Sequence, residues 1–153
     1  MMVVSDTSPL TALLTVGEAG LLPRLFTEVV IPEAVQAELS RSHPQLPDWL
    51  RVRAVGDRHQ VSRFAEIVDA GEAEAIALAQ ELHADRLLMD ERLGRRLAAQ
   101  QGLRVVGLLG VVLLARQQRL IPSARALLER LDREAGMYLA EDVRETALRA
   151  VGE

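Results

Sequence analysis

The N-terminal run Met2-Val3-Val4-Ser5-Asp6-Thr7-Ser8-Pro9-Leu10 constrains the fold more than any other stretch, because a strand and a helix start adjoin in it with almost nothing between. A short β-branched apolar run bounded by Asp, Thr, Ser and Pro predicts a buried strand that stops at Asp6. Ser8 is placed as a helix N-cap with Pro9 at the first helical position, and Leu10, Leu13 and Leu14 continue with helical spacing to Gly17. The pattern recurs at Arg86-Leu87-Leu88-Met89-Asp90, which precedes a helix over Glu91 to Gln101. Strands that alternate with helices demand right-handed crossovers and a parallel sheet covered on both faces. Asp6 and Asp90 then lie on one carboxyl edge, the edge at which open α/β sheets bind ligands. The plain alternative is that each acid punctuates a turn or caps a helix.

The remaining pattern supports the same architecture. A short helix is expected around Leu21 to Phe26, a strand at Glu28-Val29-Val30-Ile31 closed by Pro32, and a helix with Val35 and Leu39 on its apolar stripe and Glu38 beside them. Ser40 to Pro47 reads as a loop and Arg51 to Val55 as an edge strand with one wet face. Helices are expected over Arg58 to Val68 and Glu72 to His83, then a short strand at Val105-Val106 and a helix from Leu108 to Arg119. Two amphipathic helices broken near Gly136 form a C-terminal extension beyond about residue 122. The expectation is one α/β domain: a parallel sheet of four or five strands in three layers.

Composition removes several chemistries. With 153 residues, 49% of them hydrophobic and 26% charged, the chain belongs to the ordinary globular class. It has no cysteine, hence no disulfide, thiolate metal site or Cys nucleophile. All 18 basic residues are arginine, and the absence of lysine removes P-loop and Schiff-base mechanisms. A net charge of −4 argues against a general nucleic-acid coat while permitting local patches. The N-terminus has no basic segment ahead of a long apolar run, so no signal peptide or membrane span is expected and the cytoplasm is the default compartment.

Acids adjoin other apolar faces as well. Glu72 shares its helical face with Ala75, Ile76 and Ala79 and should point toward the sheet, although Asp69-x-x-Glu72 also has the form of a capping box. Glu74 lies about 200° further round and is expected to be solvated, with a second ligand role left open. Glu38 is either a fourth member of the site or a partly exposed surface acid. Four converging carboxylates require a compensating charge, since one pair at about 4 Å costs on the order of 4 kcal/mol at an effective dielectric near 20. Oxygen donors without Cys or a well-spaced His favour Mg²⁺ or Mn²⁺ over Zn²⁺. Metal-assisted phosphodiester hydrolysis is the chemistry such a site performs.

The chain resembles the PIN-domain family, in the bacterial branch close to VapC-type toxin ribonucleases. The resemblance lies in Val4 to Leu10, Ile31 to Leu39, Asp69 to Ala79, Leu87 to Glu91 and Val106 to Ala115, which follow one another in the expected order. It implies a Rossmann-like PIN fold, two divalent metals and cleavage of RNA. Asp6, Glu38, Glu72 and Asp90 match the family's acidic quartet, and Ser8 matches a supporting hydroxyl. Whether Glu72 or Glu74 ligates stays open, as does whether Glu91 is a further ligand or a first-turn helix acid.

Arg92, Arg95 and Arg96 follow Asp90 and could grip RNA phosphates, or could simply form a solvated helix face. Aromatic residues are only 3% of the chain, so base stacking has few platforms, and Trp49 and Tyr138 are expected to pack. His43, His59 and His83 lack ligand spacing. A homodimer and an antitoxin partner are expectations for the C-terminal helices, and a PIN-like interaction module with little or no nuclease activity is the competing reading. A phosphatase with Asp6 as nucleophile would want an acid where Ser8 stands, and no nucleophile-elbow motif supports a serine hydrolase.

Overall fold

The computed structural model describes residues 1–153. Five strands, β1 (Met2–Ser5), β2 (Glu28–Pro32), β3 (Leu50–Arg53), β4 (Arg86–Leu88) and β5 (Val105–Val106), form one sheet in the order β3-β2-β1-β4-β5. Every pairing is parallel. Nine helices connect and cover them: α1 (Thr7–Thr15), α2 (Leu21–Leu25), α3 (Glu33–Ser42), α4 (Arg58–Phe64), α5 (Ala70–Glu81), α6 (Arg92–Gln100), α7 (Leu108–Gln117), α8 (Ala124–Ala135) and α9 (Glu141–Ala150). This is the expected three-layer α/β architecture, with the strand count at the upper figure.

Alternation along the strands divides the core. Val3, Val29, Ile31 and Leu88 face a layer built with α1, α2, α3, α7 and α8, where Leu10, Leu13, Val35, Leu39, Val111 and Leu128 pack. Val4, Val30, Leu87 and Met89 face the other layer, against Val61 and Phe64 of α4, Ile76 and Leu78 of α5 and Leu97 of α6. The edge strand β3 buries Leu50 and Val52 only partly and exposes Arg51 and Arg53, which keeps one face wet as its alternation predicts. No helix is long and apolar enough to cross a membrane.

Several boundaries differ from expectation. Helix α1 begins at Thr7 with Asp6, not Ser8, as its N-cap residue, and Pro9 sits in the first turn, where its missing N–H has no intrahelical partner to lose. Helix α3 continues to Ser42, into the expected loop, whereas α4 stops at Phe64 and α5 starts at Ala70. The strand order reverses at β1, whose neighbours are β2 and β4. Ser5 is in register with Leu88, and the Asp6 N–H donates to Leu88 O at 2.9 Å, so the ends of β1 and β4 lie side by side at this switch point.

Candidate metal centre

A cleft of about 370 Å³ opens above the carboxyl end of β1. Its lining includes Asp6, Glu38 from α3, Asp69 and Glu72 at the start of α5, Glu91 at the start of α6, and one face of α1: Thr7, Ser8, Thr11, Ala12 and Thr15. Ser8, Thr11, Ala12 and Thr15 recur at i, i+3, i+4 and i+7, while Leu10 and Leu13 on the other side of the helix enter the core. Five acids therefore surround the cleft, and no basic side chain lines it.

Asp6 is 4% exposed. Burial is the main cause that pushes its pKa up to about 7, against the stabilising Thr7 N–H and with help from the carboxylates of Glu72, Asp69 and Glu38. The Glu72 pKa is also raised, first by burial, with the Asp69 N–H opposing and the charges of Asp69, Glu91 and Glu38 adding to it. Asp69 and Glu72 form a reciprocal capping box: Asp69 Oδ1 accepts from the Glu72 N–H at 2.9 Å, and Glu72 Oε2 accepts from the Asp69 N–H at 3.1 Å. Glu72 thus caps the helix through one oxygen and also lines the cleft. Glu38 rests against Gly71, where a Cβ would stand 2.5 Å from Glu38 Oε1. Thr7 Oγ1 is buried without a hydrogen-bond partner.

Asp90 stands apart from this group. Its Oδ1 accepts from the Leu108 N–H at 2.9 Å, which serves the start of α7 because the N-cap position is Gly107 and has no side chain. The residue is exposed overall, yet enough protein surrounds the carboxyl to raise its pKa, with the Leu108 N–H and Arg95 pulling the other way. Asp90 opens onto a neighbouring, mostly apolar depression of about 350 Å³, which shares Ser8, Ala12 and Ala135 with the acidic cleft. The structure thus brings Asp6, Glu38 and Glu72 together on one cleft and leaves Asp90 at its border.

Glu74 is not solvated as expected but 8% exposed, with Oε1 accepting from the Ala34 N–H and Oε2 from Arg58, each at 3.1 Å. It joins the first turn of α3 to α4, and Glu72 is the member of the pair that lines the cleft. Glu91 is both a cleft residue and the N-cap of α6, accepting from the Gly94 N–H at 2.8 Å. Arg95 turns inward, donating to Met89 O at 3.1 Å, whereas Arg92 and Arg96 are exposed beside Glu91. Tyr138 does not pack: it is 79% exposed. Trp49 does lie against the core. Asp69, Thr7, Thr11 and Thr15 are polar cleft residues that sequence reasoning did not assign to the site. The helical spacing of Thr7 with Thr11 and of Ser8 with Thr15 was a usable signal for the hydroxyl face.

No three acidic or histidine side chains already stand close enough together to hold an ion. The donor chemistry nevertheless fits a hard divalent cation, because the cleft offers carboxylates and hydroxyls with no nitrogen or sulfur side-chain donor. The orphaned Thr7 hydroxyl and the raised Asp6 pKa are both features that a cation or its water would satisfy. A family model described as a PIN domain matches residues 2–153. The chain belongs to the PIN-domain family. No curated protein matches it.

Proposed function

We propose that the protein is a metal-dependent endoribonuclease that uses Mg²⁺ or Mn²⁺, with Asp6, Glu38 and Glu72 as the principal ligands. The observation that carries this reading is the cleft itself: five acids and no basic side chain at the switch point of a PIN domain, one of the acids buried with its pKa pushed up to about 7. When bound, a divalent ion supplies charge neutralisation, Lewis-acid polarisation of the phosphate and a lowered pKa for its water.

The chain's own residues supply the rest. Asp6 is fixed by the β1–β4 pairing and the start of α1, and its carboxylate would be one of the groups that hold the ion. Glu72, one of whose oxygens is left out of the capping box, and Glu38 on α3 would hold the ion with it. Glu91 and Asp69 extend the acidic rim and can hold a second ion or its water. The hydroxyls of Ser8 and Thr11 offer neutral donors to phosphate oxygens, and Arg92 and Arg96, free of ion pairs, hold a phosphate further along the strand. Asp90 lines the neighbouring depression, where its second oxygen accepts no hydrogen bond from the protein. The reading extends to the toxin of a toxin–antitoxin pair through the resemblance of the ordered motifs to VapC-type ribonucleases.

Purified protein is expected to cleave RNA with Mn²⁺ or Mg²⁺, and Asp6→Asn to abolish cleavage while remaining folded by circular dichroism; full activity in that variant ends the proposal. One observation favours the interaction-module reading, namely that Glu72 and Asp69 each spend an oxygen on capping and no triad of ligands is drawn together. That reading predicts no cleavage with either metal.

A further inference from the structure

The mostly apolar depression beside the acidic cleft has a lining unusual for a solvent-exposed hollow. Leu108 and Leu109 of α7 form one wall, and Met137, Tyr138 and Leu139 of the irregular segment between α8 and α9 form the other. Gly136 makes this second wall: with φ of +68° it ends α8 in the left-handed conformation and turns the chain across the hollow. The Tyr138 ring is 79% exposed at this rim, whereas Phe26 and Phe64 are buried in the core.

We propose that this depression is a nucleobase subsite, with Tyr138 as the stacking platform for a base one nucleotide from the scissile phosphate. The inference rests on the nuclease reading for the position of that phosphate. Three features select a base as the occupant. Continuity is the first: Ser8, Ala12 and Ala135 line both depressions, so a group in one is joined to a group in the other by a short link. Charge is the second. The only charged side chain lining the hollow is Asp90, which repels phosphate, so a backbone passing the hollow stays outside it with a neutral moiety turned in. Shape and polarity are the third, because leucine, methionine and tyrosine surfaces suit the flat faces of a base while its polar edge meets the Ser8 hydroxyl and the free Asp90 oxygen. An ionised carboxylate only accepts, so a base with an exocyclic amine is favoured over uracil.

The test uses the full chain carrying Asp6→Asn and oligouridylate with a single internal 2-aminopurine, in buffer containing Mg²⁺. Stacking on Tyr138 should quench the fluorophore on binding. Adding Tyr138→Ala should remove the quench and weaken binding on the order of tenfold, with Tyr138→Phe retaining both. Equal quench and affinity with alanine would overturn the proposal. So would a dimer in sedimentation that dissociates with Tyr138→Ala, since the hollow would then be a contact between copies. Failure of the parent protein to cleave RNA, together with a Tyr138-dependent quench, would remove the nuclease reading and leave the base subsite standing. Asp6-dependent cleavage without that quench would do the reverse.

Discussion

Replacing Asp6 by asparagine should stabilise the ion-free protein at neutral and alkaline pH, by an amount that depends on pH in a defined way. Asp6 is raised from the ordinary value of 3.8 to about 7, with burial as the first cause and three neighbouring carboxylates behind it. The folded state therefore holds this proton more tightly than the unfolded chain does. Stability is unaffected by Asp6 below the unfolded pKa, falls as pH rises from about 3.8 to about 7, and levels off above. At about 1.4 kcal/mol per pKa unit the full loss is on the order of 4 kcal/mol, a large share of the roughly 5 to 15 kcal/mol of a typical domain.

Asparagine has nearly the same shape and no charge to desolvate, and it removes the repulsion from Glu72, Asp69 and Glu38. At pH 8 with a chelator present, Asp6→Asn should therefore raise the urea midpoint and the melting temperature, by roughly 10 °C if most of the 4 kcal/mol is recovered. At pH 4 the variant and the parent should nearly coincide. Mg²⁺ or Mn²⁺ should then stabilise the parent and not the variant, because ligand binding to the folded state adds stability only where the site is intact. The reasoning is refuted if Asp6→Asn destabilises the protein at pH 8, or if the two unfolding profiles stay parallel from pH 4 to pH 8.

Two further substitutions probe the walls of the site and the C-terminal helices. Gly71→Ala places a Cβ 2.5 Å from Glu38 Oε1; because that oxygen is the end of a flexible side chain, stability should change by less than about 1 kcal/mol, while Mn²⁺ affinity by calorimetry falls several-fold. The Glu153 carboxylate accepts from the Ala124 and Arg125 N–H groups, Ser123 Oγ and Arg116, contacts that together outweigh its desolvation and hold its pKa down to about 2. Glu153→Gln should lower the melting temperature by a few degrees at pH 7 and much less near pH 2, since a depressed carboxylate pKa confers stability above the unfolded value and loses it as pH falls through the folded one.

Asp6 and Asp90 could be read from the sequence as strand-terminal acids because both end apolar runs, and the sheet does place their strands side by side. Their separation could not be read. It depends on Gly107, which leaves the start of α7 without a capping side chain and draws Asp90 to the Leu108 N–H. Glu74 was misjudged for a related reason: helical spacing on α5 shows that it points away from Glu72, but not that α3 and α4 would cover that side and supply Ala34 N–H and Arg58. Tyr138 illustrates the converse. A lone aromatic in an amphipathic tail is ordinarily core, and only the chain reversal at Gly136 shows that this one stays outside. Ser8 lost its capping role to Asp6 because the strand ladder continues to the Asp6 N–H, so the helix begins immediately after it.

The tolerance of so many acids in one place follows from where the helices start. Asp6 precedes α1, Asp69 and Glu72 bracket the first turn of α5, and Glu91 caps α6. Each is held at the positive end of a helix dipole, worth roughly 0.3 to 1 kcal/mol apiece. That partial compensation is smaller than the repulsion and burial that drive Asp6 to about 7. Capping and the proposed metal binding are thus compatible for these residues, since the caps fix the carboxylates in position and leave an excess of negative charge that a cation would offset. Glu38 is the exception, placed in the middle of α3 and accepting no hydrogen bond from the protein. Set against Gly71 and tied by no hydrogen bond, it is the acid with most freedom to swing toward an arriving ion. Ion binding should therefore displace Glu38 more than any other ligand.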